Sequence, residues 1–170
     1  EKSNETEKHA ERLAEYSKAL GHRAGLSSEK IDDLELAATL HDIGKISIDK
    51  NILIKAEKLT DEDWNEIKKH PETGFRIAKA IPPLQHIAKY ILCHHERWDG
   101  TGYPNGLAGE EIPVISRIIS IVDAYDAMIQ DRAYRKALTP EEAAAEILKN
   151  AGTQFDPVLA RTFVEEVLES

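Results

Sequence analysis

The chain has 170 residues, 41% of them hydrophobic and 31% charged, which is typical of one globular domain with a sizeable core. Its net charge of −9 argues against binding to duplex nucleic acid or to a membrane surface, and the single cysteine, Cys93, excludes an internal disulfide. No segment is apolar enough to predict a transmembrane helix. We therefore expect a cytoplasmic single domain over residues 1–170, without membrane contact and excised from a larger protein with an upstream regulatory domain.

The first two predicted elements are helices. Apolar residues at helical spacing indicate a helix over residues 5–24. Ser27 or Ser28 is the expected N-cap of the second helix, whose first turn is rich in acidic residues. An apolar face follows this helix as far as His41, and Gly44 is expected to end it.

Capping residues and a proline divide the next part of the chain. Residues 46–58 predict a short irregular helix, and Thr60 begins another helix through a capping box with Asp63. Pro71 lacks an N–H group and disfavours helical geometry at the preceding His70. One helix should therefore stop near His70, and another should start at Pro71.

The second half of the chain is predicted to contain further helices and one long loop. A helix follows the break at Pro82, and the glycine-rich segment 98–112 is too irregular for a regular element. Pro113 is expected at the first position of a later helix, and Thr139 and Asp156 each mark the start of another. Since no β-strand pattern occurs, we expect an all-α bundle of about seven helices.

Several side chains that can bind metal ions recur along these helices. Glu5 and His9 are four residues apart and share one helix face. His41 and Asp42 end an apolar helix, and Asp123 follows a run of isoleucines, where an unpaired buried carboxylate would be costly. Each of these residues also has an ordinary interpretation without a metal ion. Glu5 and His9 could be an exposed pair, His41 and Asp42 could be helix-end charges, and Asp123 could form a salt bridge. The candidate ligands are Glu5, His9, His41, Asp42, His70, His94, His95 and Asp123.

This candidate set is too large for one tetrahedral ion. Nitrogen and oxygen ligands without a thiolate suit two or three octahedral divalent ions and favour Fe or Mn, with Ni, Co and Zn as alternatives. The adjacent His94 and His95 lie where a helix meets a loop, which leaves coordination positions open to a substrate. We interpret Asp126 as lying behind the ligands or facing solvent, and Cys93 as a core residue.

Short motifs occur in a fixed order along essentially the whole chain. They are Glu5-Thr6 with His9, His41–Lys45, His70-Pro71, His94–Pro104, Ile112-Pro113, Arg117-Ile118, Asp123–Ala127, Asp131-Arg132, Tyr134-Arg135 and Gly152–Pro157. The His41-Asp42 pair with Asp123 is similar to the metal site of the HD superfamily of phosphohydrolases. The full set, with an intact Gly102-Tyr103-Pro104, resembles its HD-GYP branch, the cyclic di-GMP phosphodiesterases of bacterial signalling.

The resemblance implies a chemistry for this chain. It implies a metal-dependent phosphodiesterase in which a hydroxide that bridges the metal ions attacks phosphorus. The substrate would be cyclic di-GMP, opened to linear pGpG and then to GMP. Asp42, which would bridge two ions, would act in catalysis together with His41 and Lys45.

Residues that bind the substrate are implied in the same way. By matching position, Lys45, Arg132 and Arg135 would bind phosphate, and Tyr103 would lie over the substrate from its loop. These cations would supply local positive charge in a chain whose net charge is −9. Glu5 implies a third, more weakly bound ion, because the two-metal members of the family usually lack a glutamate there.

Other functions stay open at this point. The substrate could be another cyclic dinucleotide, such as cyclic GMP-AMP. The domain could instead be a catalytically silent module that binds a cyclic dinucleotide or docks a diguanylate cyclase domain, and it could form a homodimer. A third alternative is an HD-type oxygenase with a di-iron pair, against which the Gly102–Pro104 loop argues.

Overall fold

Helices account for the regular structure of the chain. In a computed structural model, the protein is described at residues 2–55, 57–131 and 136–169, with residues 2–8 described by their backbone alone. These ranges contain the helices α1 (Lys2–Arg23), α2 (Ser28–Leu40), α3 (Lys50–Leu53), α4 (Asp61–Ile67), α5 (His70–Ala80), α6 (Ala88–Leu92), α7 (Val114–Met128), α8 (Pro140–Lys149) and α9 (Pro157–Thr162). Short 3-10 helices cover Ile43–Ser47, Pro82–Ile87 and Gly109–Glu111, and a π-helical turn covers Phe163–Leu168.

The all-α prediction is confirmed. Seven of the helices within the described ranges have six or more residues, and no β-strand occurs in those ranges. The predicted caps are also present. Ser27 caps α2, Asp156 caps α9, and reciprocal capping boxes begin α4 at Thr60 and α8 at Thr139. Local hydrogen bonding of these short polar side chains therefore sets where the helices begin.

Three predicted boundaries differ from the structure. The helix α2 ends at Leu40, before Gly44, which lies inside the following 3-10 helix. A Cβ atom at Gly44 would lie 1.9 Å from the carbonyl oxygen of His70, so glycine is required for a close backbone contact and does not end a helix. The helix α5 begins at His70, one residue before Pro71, and Pro113 is the N-cap of α7.

The core lies between α1, α2 and α7, with α8 and α9 closing one side. Tyr16, Tyr125 and Phe163 meet edge to face there, with ring centroids 5.3–5.9 Å apart, an arrangement that aromatic rings prefer. Five apolar residues of α7 are fully buried: Ile115, Ile118, Ile119, Ile121 and Val122. The packing fixes α1, α2 and α7 relative to one another; α1 and α7 carry candidate ligands, and His41 and Asp42 directly follow α2.

None of the helices in the described parts of the chain combines the length and the apolar character that crossing a bilayer requires.

Candidate metal centre

Two groups of metal-binding side chains lie next to each other at one end of the bundle. In each group, one potential ligand atom from every member lies within 4.8 Å of the others. The first group is Asp42, His70, His94 and His95, and the second group is His9, His41 and Asp123. The structure thus brings together seven of the eight predicted ligands, whereas the side chain of Glu5 lies outside the described residues.

Three of the histidines are oriented in the same way. In each, Nδ1 lies 2.6 Å from the backbone carbonyl oxygen three residues earlier in the chain. The pairs are His41 with Ala38, His70 with Ile67, and His94 with Ile91. Because a carbonyl oxygen only accepts hydrogen bonds, Nδ1 carries a proton, so that in the neutral form of each ring the lone pair is on Nε2.

The nitrogen atoms held in this way face one another. Nε2 of His70 lies 3.2 Å from Nε2 of His94. If both Nδ1 atoms carry the protons, two lone pairs meet at this distance, which is unfavourable unless a cation lies between them. Two nitrogens bound at right angles to one ion would be roughly 3 Å apart, given ordinary metal–nitrogen bond lengths. The first group therefore fits a metal ion.

The second group also fits a cation. Nε2 of His41 is buried and has no hydrogen-bond partner among the described residues. It faces a carboxylate oxygen of Asp42 at 3.5 Å and one of Asp123 at 3.6 Å. Although burial lowers the pKa of His41, these two carboxylates raise it to about 9. The surroundings of this nitrogen thus favour positive charge.

Asp42 reaches both groups. Its Oδ1 lies 3.2 Å from Nε2 of His70 and 3.9 Å from Nε2 of His94. Its Oδ2 lies 3.5 Å from Nε2 of His41 and 2.6 Å from the ammonium group of Lys45. Burial raises the pKa of Asp42, but the neighbouring His41, His70 and Lys45 hold it well below its usual range. An ionised carboxylate in this position could bridge two ions.

His94 and His95 are in the protonation state that metal binding needs. Burial is the main cause that lowers the pKa of both rings, and neighbouring histidines lower it further. The pKa of His95 falls to about 4. Both rings are therefore neutral at neutral pH, the form in which imidazole binds metals.

A buried carboxylate orients His9. Asp126 accepts a hydrogen bond from Nδ1 of His9 at 2.5 Å and is held by Arg12 through contacts of 2.6 and 3.2 Å. The side chain of Asp126 is buried, so the solvent-facing alternative is wrong, and its position behind His9 is the one observed. Asp123 is partly exposed to the cleft, although its sequence neighbours Ile121 and Val122 are buried.

The loop after His95 places Tyr103 beside the candidate ligands. The ring of Tyr103 stacks on that of His95, with centroids 5.0 Å apart and planes inclined by 18°. The ammonium group of Lys68 lies 5.7 Å from the Tyr103 ring. Burial, followed by the negative charges of Asp42 and Asp123, raises the pKa of Tyr103 to about 12. The phenol therefore keeps its proton and can donate a hydrogen bond into the cleft.

Glu96 holds this loop and was not singled out from the sequence. Its side chain is 2% exposed, and its two carboxylate oxygens accept hydrogen bonds from the backbone N–H groups of Asn105 at 2.7 Å and Leu107 at 3.1 Å. A Cβ atom at Gly102 would lie 2.4 Å from the backbone nitrogen of Arg97, so the loop needs glycine there. The sequence signal that could have identified Glu96 is the presence of an acidic residue directly after His95.

The segment before α9 supports the same loop from behind. Backbone hydrogen bonds of 2.9 to 3.1 Å join Trp98 and Asp99 to the segment 153–154. Arg117 donates to Asp156 at 2.7 Å, and its guanidinium lies 5.8 Å from the Trp98 ring. The loop is thus attached at its base to two helices of the bundle.

The two groups open into a cleft of about 660 Å³. Its lining includes six of the seven candidate ligands that the structure brings together, all but His41, and also Lys45 and Tyr103. A second part of the lining is formed by Ile52, Leu53, Lys55, Leu59 and Trp64. Arg132 and Arg135, the other predicted phosphate ligands, lie outside the described residues.

Comparison with known proteins defines the class of this fold and site. The profile of the HD domain matches residues 1–159, so the chain belongs to the HD-domain family. HD-domain phosphohydrolases are metal-dependent, and the two groups described above are candidate metal sites. The predicted resemblance to the HD superfamily is thereby confirmed.

The chain is similar to several curated proteins. It is 40% identical over 163 residues to a cyclic di-GMP phosphodiesterase of Thermotoga maritima, covering 95% of this chain and 44% of that protein. It is 39% identical over 166 residues to the 3′3′-cGAMP-specific phosphodiesterase 2 of Vibrio cholerae, covering 96% of this chain and 32% of the relative. The chain thus spans less than half the length of these two relatives.

A solved structure supports the fold. An HDG"Y"P protein from Bdellovibrio bacteriovorus matches with a TM-score of 0.74 at 24% sequence identity. The match covers 95% of this chain and 52% of that one.

Proposed function

We propose that this domain is a metal-dependent phosphodiesterase that hydrolyses cyclic di-GMP to linear pGpG and then to GMP. The observation that carries the proposal is the position of Asp42. One of its oxygens faces His70 and His94, while the other faces His41 and Lys45. This arrangement at the base of an open cleft suits two ions acting on one phosphodiester group. The name of the Thermotoga maritima relative supports cyclic di-GMP as the substrate.

The proposal assigns ligands to the two ions. One ion would be held by the first group, and the other by the second group together with Asp42. Glu5 would hold a third ion more weakly. Fe or Mn is the expected metal, since the candidate ligands are nitrogen and oxygen atoms. The only cysteine is buried, which raises the pKa of its thiol to about 11 and leaves it a poor metal ligand.

Bound ions would polarise the phosphate oxygens and lower the pKa of a water molecule to about 7, giving a nucleophile at neutral pH. The other roles fall to the side chains of the chain itself. Lys45 is partly exposed to the cleft and would bind a phosphate oxygen together with Arg132 and Arg135. Tyr103, whose pKa is raised to about 12, would donate a hydrogen bond to the substrate.

A second candidate substrate is a 3′3′ cyclic GMP-AMP. It is favoured by the 39% identity to a Vibrio cholerae enzyme that is named as specific for this dinucleotide. The same site would serve both substrates, because both present a phosphodiester group between two purine nucleosides. The purine rings are therefore what distinguishes the two candidates.

The proposal is tested by loading the purified domain with Mn²⁺ or, without oxygen, Fe²⁺, and separating the products of each dinucleotide by chromatography. We expect pGpG to appear first and GMP later. Asp42→Asn keeps the shape of the side chain and removes its charge, and it should abolish turnover. Tight binding of cyclic di-GMP without turnover by the fully metal-loaded protein would instead identify a silent binding module.

A further inference from the structure

The part of the cleft wall that is formed by Ile52, Leu53, Leu59 and Trp64 has no role in the proposed function. Its surface is apolar and partly open. Trp64 is 47% exposed and Leu53 is 45% exposed, while Ile52 and Leu59 line the same wall. In the described chain, none of the four belongs to the hydrophobic core or to the apolar residues packed against it. Exposing a tryptophan of this size is unfavourable unless the surface binds something.

This wall is held in place without a ligand. The backbone N–H of Trp64 donates to the carbonyl of Thr60 at 3.0 Å, in the first turn of a helix that a capping box stabilises. Lys55 joins the preceding segment to the same helix through a 2.6 Å contact with Asp63. The indole therefore projects from a supported helix, which lowers the entropy cost of binding a flat partner.

Charge and position indicate the partner. Trp64 lies six residues before His70, and both side chains line the cleft. Ile67, between them, lines the same cleft, and so do Lys45 and Lys55, whose ammonium groups also contact Asp42 and Asp63. An apolar aromatic surface beside lysines and next to a phosphodiester-binding centre fits a nucleobase joined to a phosphate, because bases stack on aromatic side chains.

We propose that Trp64, with Leu53 and Leu59, forms a purine subsite in which one base of the cyclic dinucleotide stacks while the adjoining phosphate occupies the metal centre. This inference rests on the proposed function and adds a residue that contributes to substrate selection. Trp64 would act by binding a base and would not contact the reacting phosphorus.

The test compares two substrates in the metal-loaded domain. Cyclic di-GMP contains purines, whereas methyl 4-nitrophenyl phosphate is a phosphodiester without one. We expect Trp64→Ala to raise KM for cyclic di-GMP about 5- to 150-fold, the range for loss of one base–aromatic stack. The ratio of kcat/KM for cyclic di-GMP to that for the simple diester should fall by a similar factor. Trp64→Phe, which keeps a ring, should lose much less.

The matched control is Ile46→Ala, which shortens an apolar side chain that is 82% exposed and does not line the cleft. It should leave the substrate ratio unchanged. An unchanged ratio in Trp64→Ala, or an equal fall in Ile46→Ala, would overturn the subsite. Metal content and melting temperature, measured for each variant, distinguish lost stacking from lost structure.

Fluorescence provides a readout that does not require catalysis. The chain has two tryptophans, Trp64 and Trp98, and cyclic di-GMP should quench the emission of Trp64 alone. The quenching should disappear in Trp64→Phe, and its absence in the wild-type protein would refute the subsite. If the wild type cleaves the simple diester but no cyclic dinucleotide, the proposed function fails. Quenching by cyclic di-GMP would then still support the purine subsite.

Discussion

The two candidate ligand groups are held in place by different parts of the chain. In the first group, His70 and His94 are fully buried, and each donates to a backbone carbonyl only three residues away. In the second group, His9 is 32% exposed and donates to Asp126, which is 117 residues distant. Local hydrogen bonds survive small movements of the bundle, whereas the His9 contact requires α1 to stay packed on α7.

This difference gives the two groups different expected properties. Ligands that are oriented locally lose little freedom on binding a metal and should bind it tightly. The orientation of His9 is gained only when α1 packs on α7, because its hydrogen-bond partner Asp126 lies on α7. We therefore expect the second group to release its ion before the first, and the following changes test that order.

The largest effect is expected at the residue that the two groups share. Asp42→Ala should reduce kcat by far more than a hundredfold and remove metal from both groups, since its carboxylate faces both. His70→Ala should remove metal from the first group only and cost less activity. Metal analysis of both purified variants, together with turnover of cyclic di-GMP, checks this prediction. If both retained full metal content and near wild-type turnover, the ligand assignment would be wrong.

Asp126→Asn separates the two groups. Removing the negative charge behind His9 should weaken metal binding by the second group 10- to 100-fold, as is typical when a residue that orients a ligand is changed. Metal binding by the first group should stay the same. Calorimetric titration of the metal-free protein with metal ions would resolve the two groups as two classes of binding site. Asp32→Asn, an exposed change of the same kind, is the control. Equal weakening of both classes would contradict the independence of the groups.

Glu96→Gln tests the loop beside the first group. Glutamine keeps one acceptor oxygen and replaces the other by a donor that faces the N–H of Asn105 or Leu107. Leaving one buried N–H unpaired should cost roughly 1–3 kcal/mol of stability. KM should rise more than kcat falls, because Tyr103 would be held less firmly over the cleft while the ligands stay in place. Denaturant unfolding and steady-state kinetics measure the two effects, and an unchanged KM would assign Glu96 a purely structural role.

The smallest effect is expected at Glu5. Glu5→Ala should lower the metal count at saturation by about one ion, while ring opening of cyclic di-GMP proceeds nearly as before. The second hydrolysis, from pGpG to GMP, should slow more than the first, since the third ion would engage the terminal phosphate. Product time courses measure both steps. A crystal of the wild-type domain grown with excess metal that contains only two ions would contradict this prediction.

Local sequence signals account for much of the fold. Short polar residues at Ser27, Thr60 and Thr139, together with the apolar periodicity, predicted where helices begin, because capping depends on residues only three positions apart. The candidate ligands could also be recognised from the sequence, because they occur in a fixed order of short motifs that resembles a known family. Their metal-binding roles stay predictions, and Glu5, Arg132 and Arg135 lie outside the described side chains.

Tertiary contacts decided what these local signals could not. The need for glycine at position 44 comes from the backbone of His70, and the orientation of His9 comes from Asp126 on a distant helix. Likewise, Glu96 orders the loop through N–H groups 9 and 11 residues further on. The sequence by itself determined the helices and the residue types at the site, since both depend on neighbouring residues. Only packing determined how those side chains face one another, because it joins segments that are far apart in the chain.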